Sequence, residues 1–218
     1  MRDRNAPLIA GEIDSLAWDK MDGLLPAAVQ DRSTGRLLML GYMDREALEA
    51  TLASGLVTFF SRSKQRLWQK GETSGNVLRF VSAHEDCDGD ALLVLAEPEG
   101  PTCHLGTTSC FGGGEPEGPG WLAELSRIIA ERAASGDESS YTRKLIDRGV
   151  ERIAQKIGEE GTEVALAAVT RDADGCAEEI ADLLYHVAVL MEARDFGWNG
   201  VIAVLKSRHS DRSATASA

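Results

Sequence analysis

The sequence predicts two domains of different class: a mostly β, α+β domain over residues 1–111 and an all-α domain over residues 121–218. In the first part, short apolar runs alternate with glycine and polar turns, which is typical of strands. In the second part, the apolar period lengthens to about 3.6 residues, which indicates helices. Residues 112–120 between them read GGGEPEGPG. Because glycine, proline and glutamate in this mixture exclude helix and strand, we predict an interdomain linker there.

The individual elements follow from the same patterns. One helix is predicted at residues 44–54, with Asp44 as its N-cap and Gly55 as its stop. The final residues, 210–218, are small and polar and are expected to fray. The predicted strands are 27–31, 37–42, 57–61, 77–82 and 91–96, and the predicted helices of the second domain are 121–135, 141–170, 176–194 and 200–208.

The composition restricts the function. With 218 residues and 43% hydrophobic content, the chain can bury one large core or two small ones. The net charge of -12 argues against binding to nucleic acid or to an anionic membrane, since both need a basic surface. The first twenty residues carry no apolar run of signal-peptide length and no stretch approaches a membrane span, so we expect the cytoplasm. Three of the four cysteines lie between Cys87 and Cys110, which suits a metal site better than a disulfide framework.

Acidic residues alternate in the run DCDGD, just before a predicted strand. In an extended chain, Asp86, Asp88 and Asp90 would project to one side and Cys87 to the other. Carboxylates suit magnesium or calcium and a thiolate suits zinc, so this segment could serve two metals. Alternate aspartates also open a calcium-binding EF-hand loop. That alternative is disfavoured because Ala91 occupies the position that needs glycine and a strand pattern follows.

A second cysteine motif, PTCHLGTTSC, contains Cys103 and Cys110. Together with Cys87 they offer three thiolates, and three protein ligands with an open fourth position is the arrangement of catalytic zinc. Buried reduced cysteines, or a closed structural site with His104 as fourth ligand, are equally compatible with the spacing. In an extended segment His104 would point away from its neighbour's sulfur, which favours a role in proton transfer.

Residues 61–76 read SRSKQRLWQKGETSGN, a polar segment between two predicted strands. Hydroxyls, basic side chains and glycines are typical of a phosphate-binding loop, because exposed backbone N–H groups and short hydroxyls approach the oxygens closely. An ordinary polar turn is the alternative that composition alone favours.

These three motifs, in this order, resemble those of phosphoribosyl-AMP cyclohydrolases of histidine biosynthesis, over residues 24–111. The resemblance implies an obligate homodimer that binds Zn²⁺ through Cys87 of one subunit and the other two cysteines of its partner. It also implies opening of the adenine ring of the nucleotide, by attack of zinc-activated water on C6. The remaining implied roles are Mg²⁺ binding by Asp86, Asp88 and Asp90, proton transfer by His104, and phosphate and ribose binding by Ser61, Arg62, Lys70, Thr73 and Ser74.

In the helical part, one acidic residue lies where an apolar one is expected. On a helical wheel Glu160 falls inside the stripe that contains Ile153 and Ile157, with Glu163 at its edge. A glutamate there is costly unless it is paired or bound to a metal. Surface carboxylates usually serve solubility only, but this position favours a functional interpretation.

The next predicted helix repeats this arrangement, since Glu179, Asp182 and His186 lie along one flank. If the two helices face each other, four carboxylates meet and form a site suited to Mg²⁺ carrying a di- or triphosphate.

The run SSYTRKLIDRGVERIAQKIGEEGTEVALAA followed by EEIADLLYHVAVLM is similar to phosphoribosyl-ATP pyrophosphohydrolases, an all-α family, over residues 122–208. The family's paired signature, E-x-x-E then E-x-x-D, implies that Mg²⁺ is held by four residues and that pyrophosphate is released. A dimer or larger homo-oligomer is also implied. The signature residues are Glu160, Glu163, Glu179 and Asp182, and the positions implied to meet phosphates are Tyr141, Thr142, Lys144 and Lys156.

The two resemblances together imply a bifunctional enzyme of histidine biosynthesis with nucleotide substrates. The linker leads us to expect that the two sites act independently. Two alternatives remain open. One is a zinc-stabilised scaffold whose helical part only dimerises. The other is a nucleotide pyrophosphohydrolase fused to an inactive, zinc-stabilised dimerisation domain.

Overall fold

The computed structural model describes residues 6–112, 116 and 118–215, with side chains as far as residue 209. The chain divides into two compact units, of residues 1–120 and 121–218. Part of the predicted linker, residues 113–115 and 117, lies outside the described residues. Its last residues, Gly118–Gly120, form a single 3-10 turn, so the exclusion of all helical structure there was wrong.

Among its described residues, the first unit combines six strands with one α-helix and short 3-10 helices. The elements are β1 (Leu25–Asp31), β2 (Leu37–Met43), α1 (Arg45–Ser54), β3 (Thr58–Ser61), β4 (Arg66–Gln69), β5 (Leu78–Glu85) and β6 (Leu92–Pro98). Four strands form one sheet in the order β2-β1-β6-β5, in which only β1 and β6 are parallel, and β3 and β4 form a separate hairpin.

The predicted boundaries of α1 are confirmed. The Asp44 carboxylate accepts a hydrogen bond of 2.7 Å from the Ala47 N–H, and Gly55 adopts a left-handed φ of 71°. The Asp44 carboxylate satisfies a backbone N–H at the start of the helix that has no intrahelical partner, and the left-handed conformation of Gly55 ends the helix. All five predicted strands are present, but β4 was not predicted, because its sequence RLWQ lies inside the segment expected to be a loop.

The main sheet buries one face and leaves apolar side chains on the other. Along β1 the residues alternate between buried and half-buried, as a strand with one face in a core requires. Ala28 on the open face pairs with Leu40 of β2 and with Leu93 of β6, which are 48% and 40% exposed. These three residues form a continuous apolar row, which we call the open sheet face.

From residue 121 to residue 215, the second unit forms helices and no strand, as predicted. Ile129, Ile153 and Val189 are among the residues that form its core. The helices are α2 (Trp121–Ala134), α3 (Tyr141–Asp147), α4 (Val150–Thr170), α5 (Ala173–Ala193) and α6 (Trp198–Thr215). Helices α4 and α5 pack against each other as a hairpin.

Two predicted helix limits were wrong. The single helix expected over residues 141–170 is two helices, because Gly149 has a φ of 87°, which an α-helix cannot contain. The tail that was expected to fray from residue 210 is helical as far as Thr215, and residues 216–218 lie outside the described part. No helix in the described part of the chain is both long and apolar enough to cross a bilayer.

Candidate functional site

A cavity of about 440 Å³ in the first unit joins two of the predicted motifs. We call it the thiol cavity, because it contains two of the cysteines. One side comes from the segment after β4 and the other from the loop after β6. The lining residues are Met39, Trp68, Lys70, Gly71, Glu72, Thr73, Ser74, Asn76, Pro101, Thr102, Cys103, His104, Gly106 and Cys110.

The two cysteines of this cavity differ in acidity. The N–H of Leu105 and the hydroxyl of Thr107 donate to Cys103 and lower the pKa of its thiol. Desolvation, and then the charge of Cys103, raise the pKa of Cys110. Cys103 therefore loses its proton first, and a stabilised thiolate is the form of cysteine that binds metal.

A buried cation lies beside these thiols. The Lys70 ammonium donates to the Asn76 carbonyl oxygen at 3.0 Å. The pKa of Lys70 is lowered, because desolvation outweighs the opposing effect of the charges of Cys110 and Cys103. The loop that carries Cys103 and His104 turns and is not extended, so the prediction that the ring points away was wrong. The Nδ1 atom of His104 lies 3.9 Å from the Cys103 sulfur.

The residues predicted to bind phosphate lie in two places. Lys70, Thr73 and Ser74 line the thiol cavity. Ser61 and Arg62 lie at the turn between β3 and β4, and the Arg62 guanidinium stacks 3.8 Å from the centre of the Tyr42 ring. The unpredicted strand β4 separates the two groups in sequence.

The run DCDGD forms a bend, so the prediction that its oxygens and sulfur separate was wrong. One carboxylate oxygen of Asp86 accepts from the N–H groups of Asp90 and Ala91, at 3.0 and 3.3 Å, and holds the chain in this bend. Donor atoms of Asp86, Cys87 and Asp88 consequently lie within 4.8 Å of one another. The EF-hand alternative is excluded, because β6 follows directly where that motif needs a loop and a helix.

A lysine already pairs with these aspartates. The Lys20 ammonium lies 2.6 Å from Asp88 and 3.5 Å from Asp90. The Lys20 partner lowers the pKa of Asp88, which keeps that carboxylate charged.

Within one chain, Cys87 does not join the other two predicted zinc ligands. Among the described residues, the groups able to hold a metal do not combine Cys87 with Cys103 or Cys110. Cys87 is exposed, whereas Cys103 is buried in the thiol cavity. A single chain therefore presents two thiols in one place and the third in another.

In the second unit, α4 and α5 bring three carboxylates together. Donor atoms of Glu160, Glu179 and Asp182 lie within 4.8 Å of one another, and we call this group the carboxylate cluster. Glu160 is 4% exposed and Glu179 is 9% exposed. The prediction that Glu160 lies in the buried stripe of its helix is confirmed.

Glu163 stands beside this cluster at the surface. The charge of Glu160, followed by desolvation and the charge of Glu179, raises the pKa of Glu163. It is therefore an electrostatic neighbour of the cluster, as its position three residues after Glu160 predicts.

Two cations contact the cluster. The Lys156 ammonium lies 2.6 Å from Glu160, and the Arg171 guanidinium lies 2.5 Å from Glu179. Glu160, and then Glu159, raise the pKa of Lys156. Both cations compensate carboxylates that would otherwise be buried with unbalanced charge.

The other residues predicted to meet phosphates are dispersed. The Tyr141 hydroxyl lies 3.3 Å from Nε2 of His186, whose Nδ1 lies 2.8 Å from the Asp182 carbonyl oxygen. Thr142 is buried, and its hydroxyl lies 2.8 Å from that of Tyr185. Lys144 lines a separate cavity of about 370 Å³, away from the carboxylate cluster.

Both halves of the chain match families of known activity. Residues 39–112 match the model of the phosphoribosyl-AMP cyclohydrolase family, and residues 122–209 match that of the phosphoribosyl-ATP pyrophosphohydrolase family. The histidine biosynthesis bifunctional protein HisIE of Xanthomonas axonopodis pv. citri is 57% identical over 196 residues, which are 89% of this chain and 93% of that protein. The chain belongs to the family of histidine biosynthesis bifunctional proteins.

Further members of this bifunctional family give the same result. The protein of Salmonella typhimurium is 54% identical over 196 residues, 89% of this chain and 95% of its own length. That of Shewanella oneidensis is 52% identical over 200 residues, 91% of this chain and 93% of its own length. The alignments therefore span both units in the order found here.

Bifunctional proteins of this family combine two metal-dependent hydrolases. The donors of this chain fit that requirement by their chemistry. The thiol cavity offers soft sulfur and the carboxylate cluster offers hard oxygen, which are the preferences of zinc and of magnesium.

Sequence reasoning missed some residues that line the two sites. Trp68 and Asn76 lie in the segment quoted as polar. Trp68 reaches the cavity as part of the unpredicted strand β4, and Asn76 reaches it from the segment that follows β4. Arg171 follows α4 directly and reaches Glu179 because α4 and α5 form a hairpin. A sequence prediction of the turn between α4 and α5 would have indicated the contact between Arg171 and Glu179.

Proposed function

We propose that this chain catalyses two successive hydrolyses of histidine biosynthesis. The helical domain, residues 121–218, cleaves phosphoribosyl-ATP to phosphoribosyl-AMP and pyrophosphate. The strand-rich domain, residues 1–111, opens the adenine ring of phosphoribosyl-AMP, and residues 112–120 connect the two. The supporting observation is that each family match contains its own cluster of metal-binding side chains.

In the helical domain, we assign Mg²⁺ to Glu160, Glu163, Glu179 and Asp182. Three of these carboxylates converge within 4.8 Å and the fourth is coupled to them by charge. Bound magnesium supplies polarisation of the α-to-β phosphoanhydride and a position for the attacking water. The remaining residues assigned to phosphate contacts are Tyr141, Thr142, Lys144 and Lys156, of which Lys156 already contacts the cluster.

In the strand-rich domain, we assign Zn²⁺ to Cys103 and Cys110 with Cys87 of a second subunit. The donors that lower the pKa of Cys103 stabilise the thiolate that zinc needs. Bound zinc supplies Lewis acidity, which makes water a nucleophile near neutral pH for attack on C6.

The other side chains of the thiol cavity bind and orient the nucleotide. We assign proton transfer during ring opening to the imidazole of His104, whose Nδ1 lies 3.9 Å from the Cys103 sulfur. The Lys70 ammonium and the hydroxyls of Thr73 and Ser74 offer donors to phosphate and ribose. We also retain Ser61 and Arg62, at the β3–β4 turn, as substrate contacts.

A homodimer is part of this proposal. The open sheet face carries Leu40 and Leu93 in one row, and such a row of exposed apolar side chains is typical of an interface. A second subunit would also contribute Cys87, the third thiol. In a symmetric dimer each subunit contributes its Cys87 to the other, so the shared site forms twice.

The bend at Asp86, Asp88 and Asp90 is assigned to Mg²⁺ in the same domain. Its oxygens are hard donors, and Lys20 shows that a cation is stable beside two of them. The predicted location, the cytoplasm, is kept with this proposal because the substrates are metabolites.

The test is to supply the purified chain with phosphoribosyl-ATP, Mg²⁺ and Zn²⁺. We expect pyrophosphate and the ring-opened nucleotide in equal amounts, and about one zinc per subunit that is lost in Cys87→Ala. A scaffold would form neither product. A chain with an inactive zinc domain would release pyrophosphate and accumulate phosphoribosyl-AMP.

A further inference from the structure

Two cationic side chains pair with carboxylates of the cluster that a divalent metal would also bind. Lys156 pairs with Glu160 at 2.6 Å, and Arg171 pairs with Glu179 at 2.5 Å. Lys156 belongs to the motif of the helical domain, whereas Arg171 belongs to no motif of the sequence. The geometry of Arg171 nevertheless places it at the same site.

The backbone and side chain of Arg171 have separate tasks. Its N–H donates to the Ala167 carbonyl oxygen at 2.9 Å and closes α4, so its position in the chain is fixed by the helix. Its side chain then crosses to α5, where Nη1 donates to Glu179. In the described part of the chain, this is the side chain's one hydrogen bond, and the side chain is 51% exposed.

The guanidinium therefore has one edge on a buried carboxylate and other donors open to solvent. A guanidinium carries five N–H donors in a planar fork that suits phosphate oxygens. The pairing with Glu179 neutralises a charge that burial would otherwise penalise, and it positions the fork beside the cluster. A metal ion on Glu179 would neutralise the same charge and leave the guanidinium free to pair elsewhere.

We propose that Arg171 is a phosphate-positioning residue of the pyrophosphohydrolase site, which exchanges Glu179 for the polyphosphate of the substrate once the carboxylates hold a divalent cation. The proposal rests on the function proposed above. The metal ion and the polyphosphate then bind together, because the metal displaces the Arg171 guanidinium from Glu179 and the guanidinium can pair with the phosphate oxygens.

The test measures binding and not turnover. Inorganic tripolyphosphate is titrated into the full-length chain in saturating Mg²⁺, and Mg²⁺ is titrated separately without phosphate, both by calorimetry. In Arg171→Gln we expect tripolyphosphate affinity to fall about tenfold, the value of one charge-assisted hydrogen bond. We expect Mg²⁺ affinity to rise about threefold, because a competing, partly exposed ion pair is removed. Arg171→Lys should restore part of the tripolyphosphate affinity.

Arg127→Gln is the matched control. The Arg127 side chain is 52% exposed, and it pairs with Glu124, which is 15% exposed, and with the exposed Glu131. It therefore resembles Arg171 in exposure and in having a largely buried carboxylate partner, but it contacts no residue of the carboxylate cluster. Both affinities should stay unchanged in this variant. A purely structural role for Arg171 would weaken both affinities in Arg171→Gln and lower its melting temperature, and that result would overturn the proposal.

Glu179→Gln separates this proposal from the function on which it rests. If Arg171→Gln leaves tripolyphosphate affinity unchanged while Glu179→Gln abolishes it, the proposal for Arg171 fails and the magnesium site stands. If Glu179→Gln retains both affinities, the proposed magnesium site itself fails.

Discussion

The two candidate sites differ in how much of each lies within one chain. In the helical unit, α4 and α5 bring Glu160, Glu179 and Asp182 within 4.8 Å of one another. In the strand-rich unit, Cys103 and Cys110 share a cavity, but Cys87 lies in the bend before β6. A helix hairpin positions hard donors by its own packing, whereas the soft donors lie on separate loops. The donors of the first site therefore meet within one folded chain, whereas the zinc site that we propose needs Cys87 of a second subunit.

The largest expected effect separates the two activities, ring opening and pyrophosphate release. Cys103→Ala should reduce ring opening about a thousandfold, since the Lewis acid supplies several kcal/mol and each 1.4 kcal/mol is tenfold in rate. Pyrophosphate release should stay near the wild-type rate. Glu160→Gln should give the reverse pattern. Separate assays of pyrophosphate and of the ring-opened nucleotide measure both effects. Loss of both activities from either change would contradict independent sites.

The second effect tests whether the thiol site is shared between subunits. Cys87→Ala and Cys103→Ala should each be inactive in ring opening when expressed alone. Co-expressed, they should recover about one quarter of wild-type activity, because half of randomly paired dimers then contain one intact site out of two. The ring-opening rate per mole of zinc-loaded protein measures the recovery.

Co-expression of Cys103→Ala with Cys110→Ala is the matched control for this experiment. Both lesions then lie on the same contributed part of the site, so every heterodimer is defective at both sites. We expect no recovery. Equal recovery in the two mixtures would mean that activity arises without the assembly proposed here.

A smaller effect distinguishes the thiol cavity from the neighbouring turn. Lys70→Met removes a buried ammonium that lines the cavity, so kcat/KM for ring opening should fall about ten- to a hundredfold, with zinc content unchanged. Lys64→Met, at the exposed β3–β4 turn, is the control and should change it little. Comparable losses in the two variants would show that the lysine in the cavity has no special role.

In the strand-rich unit, periodicity identified five strands and α1, but not β4. The residues of β4 lie among polar and basic neighbours, and only pairing with β3 makes them a strand. Spacing suggested a group that contains Cys103 and Cys110, and these two residues line one cavity, whereas side-chain direction could not be read from spacing. Asp86 bends its segment through hydrogen bonds to Asp90 and Ala91, and the alternation expected of an extended chain therefore does not apply.

In the helical unit, the wheel placed Glu160 correctly, because helical periodicity is local and continues through α4. The break at Gly149 was missed, since glycine within an apolar pattern is compatible with a helix until its φ is known. Arg171 was missed for a different reason. Its partner Glu179 lies beyond the turn into α5, and a contact across a turn depends on tertiary structure.

The smallest expected effect concerns Glu163, whose negative charge lies beside the carboxylate cluster. The charge of Glu160 raises the pKa of Glu163, so the folded chain binds this proton more tightly than the unfolded chain does. The resulting stability is complete below the unfolded pKa, about pH 4, and is lost as pH rises through the folded value. In a chelator at neutral pH, Glu163→Gln should therefore raise the melting temperature slightly, with no change below pH 4. In excess Mg²⁺ the sign should reverse, because the variant lacks a ligand and gains less from binding. Glu178→Gln, at an exposed position of α5, is the control and should show neither shift. If the effect of Glu163→Gln is the same with and without Mg²⁺, Glu163 is not a ligand of the magnesium site.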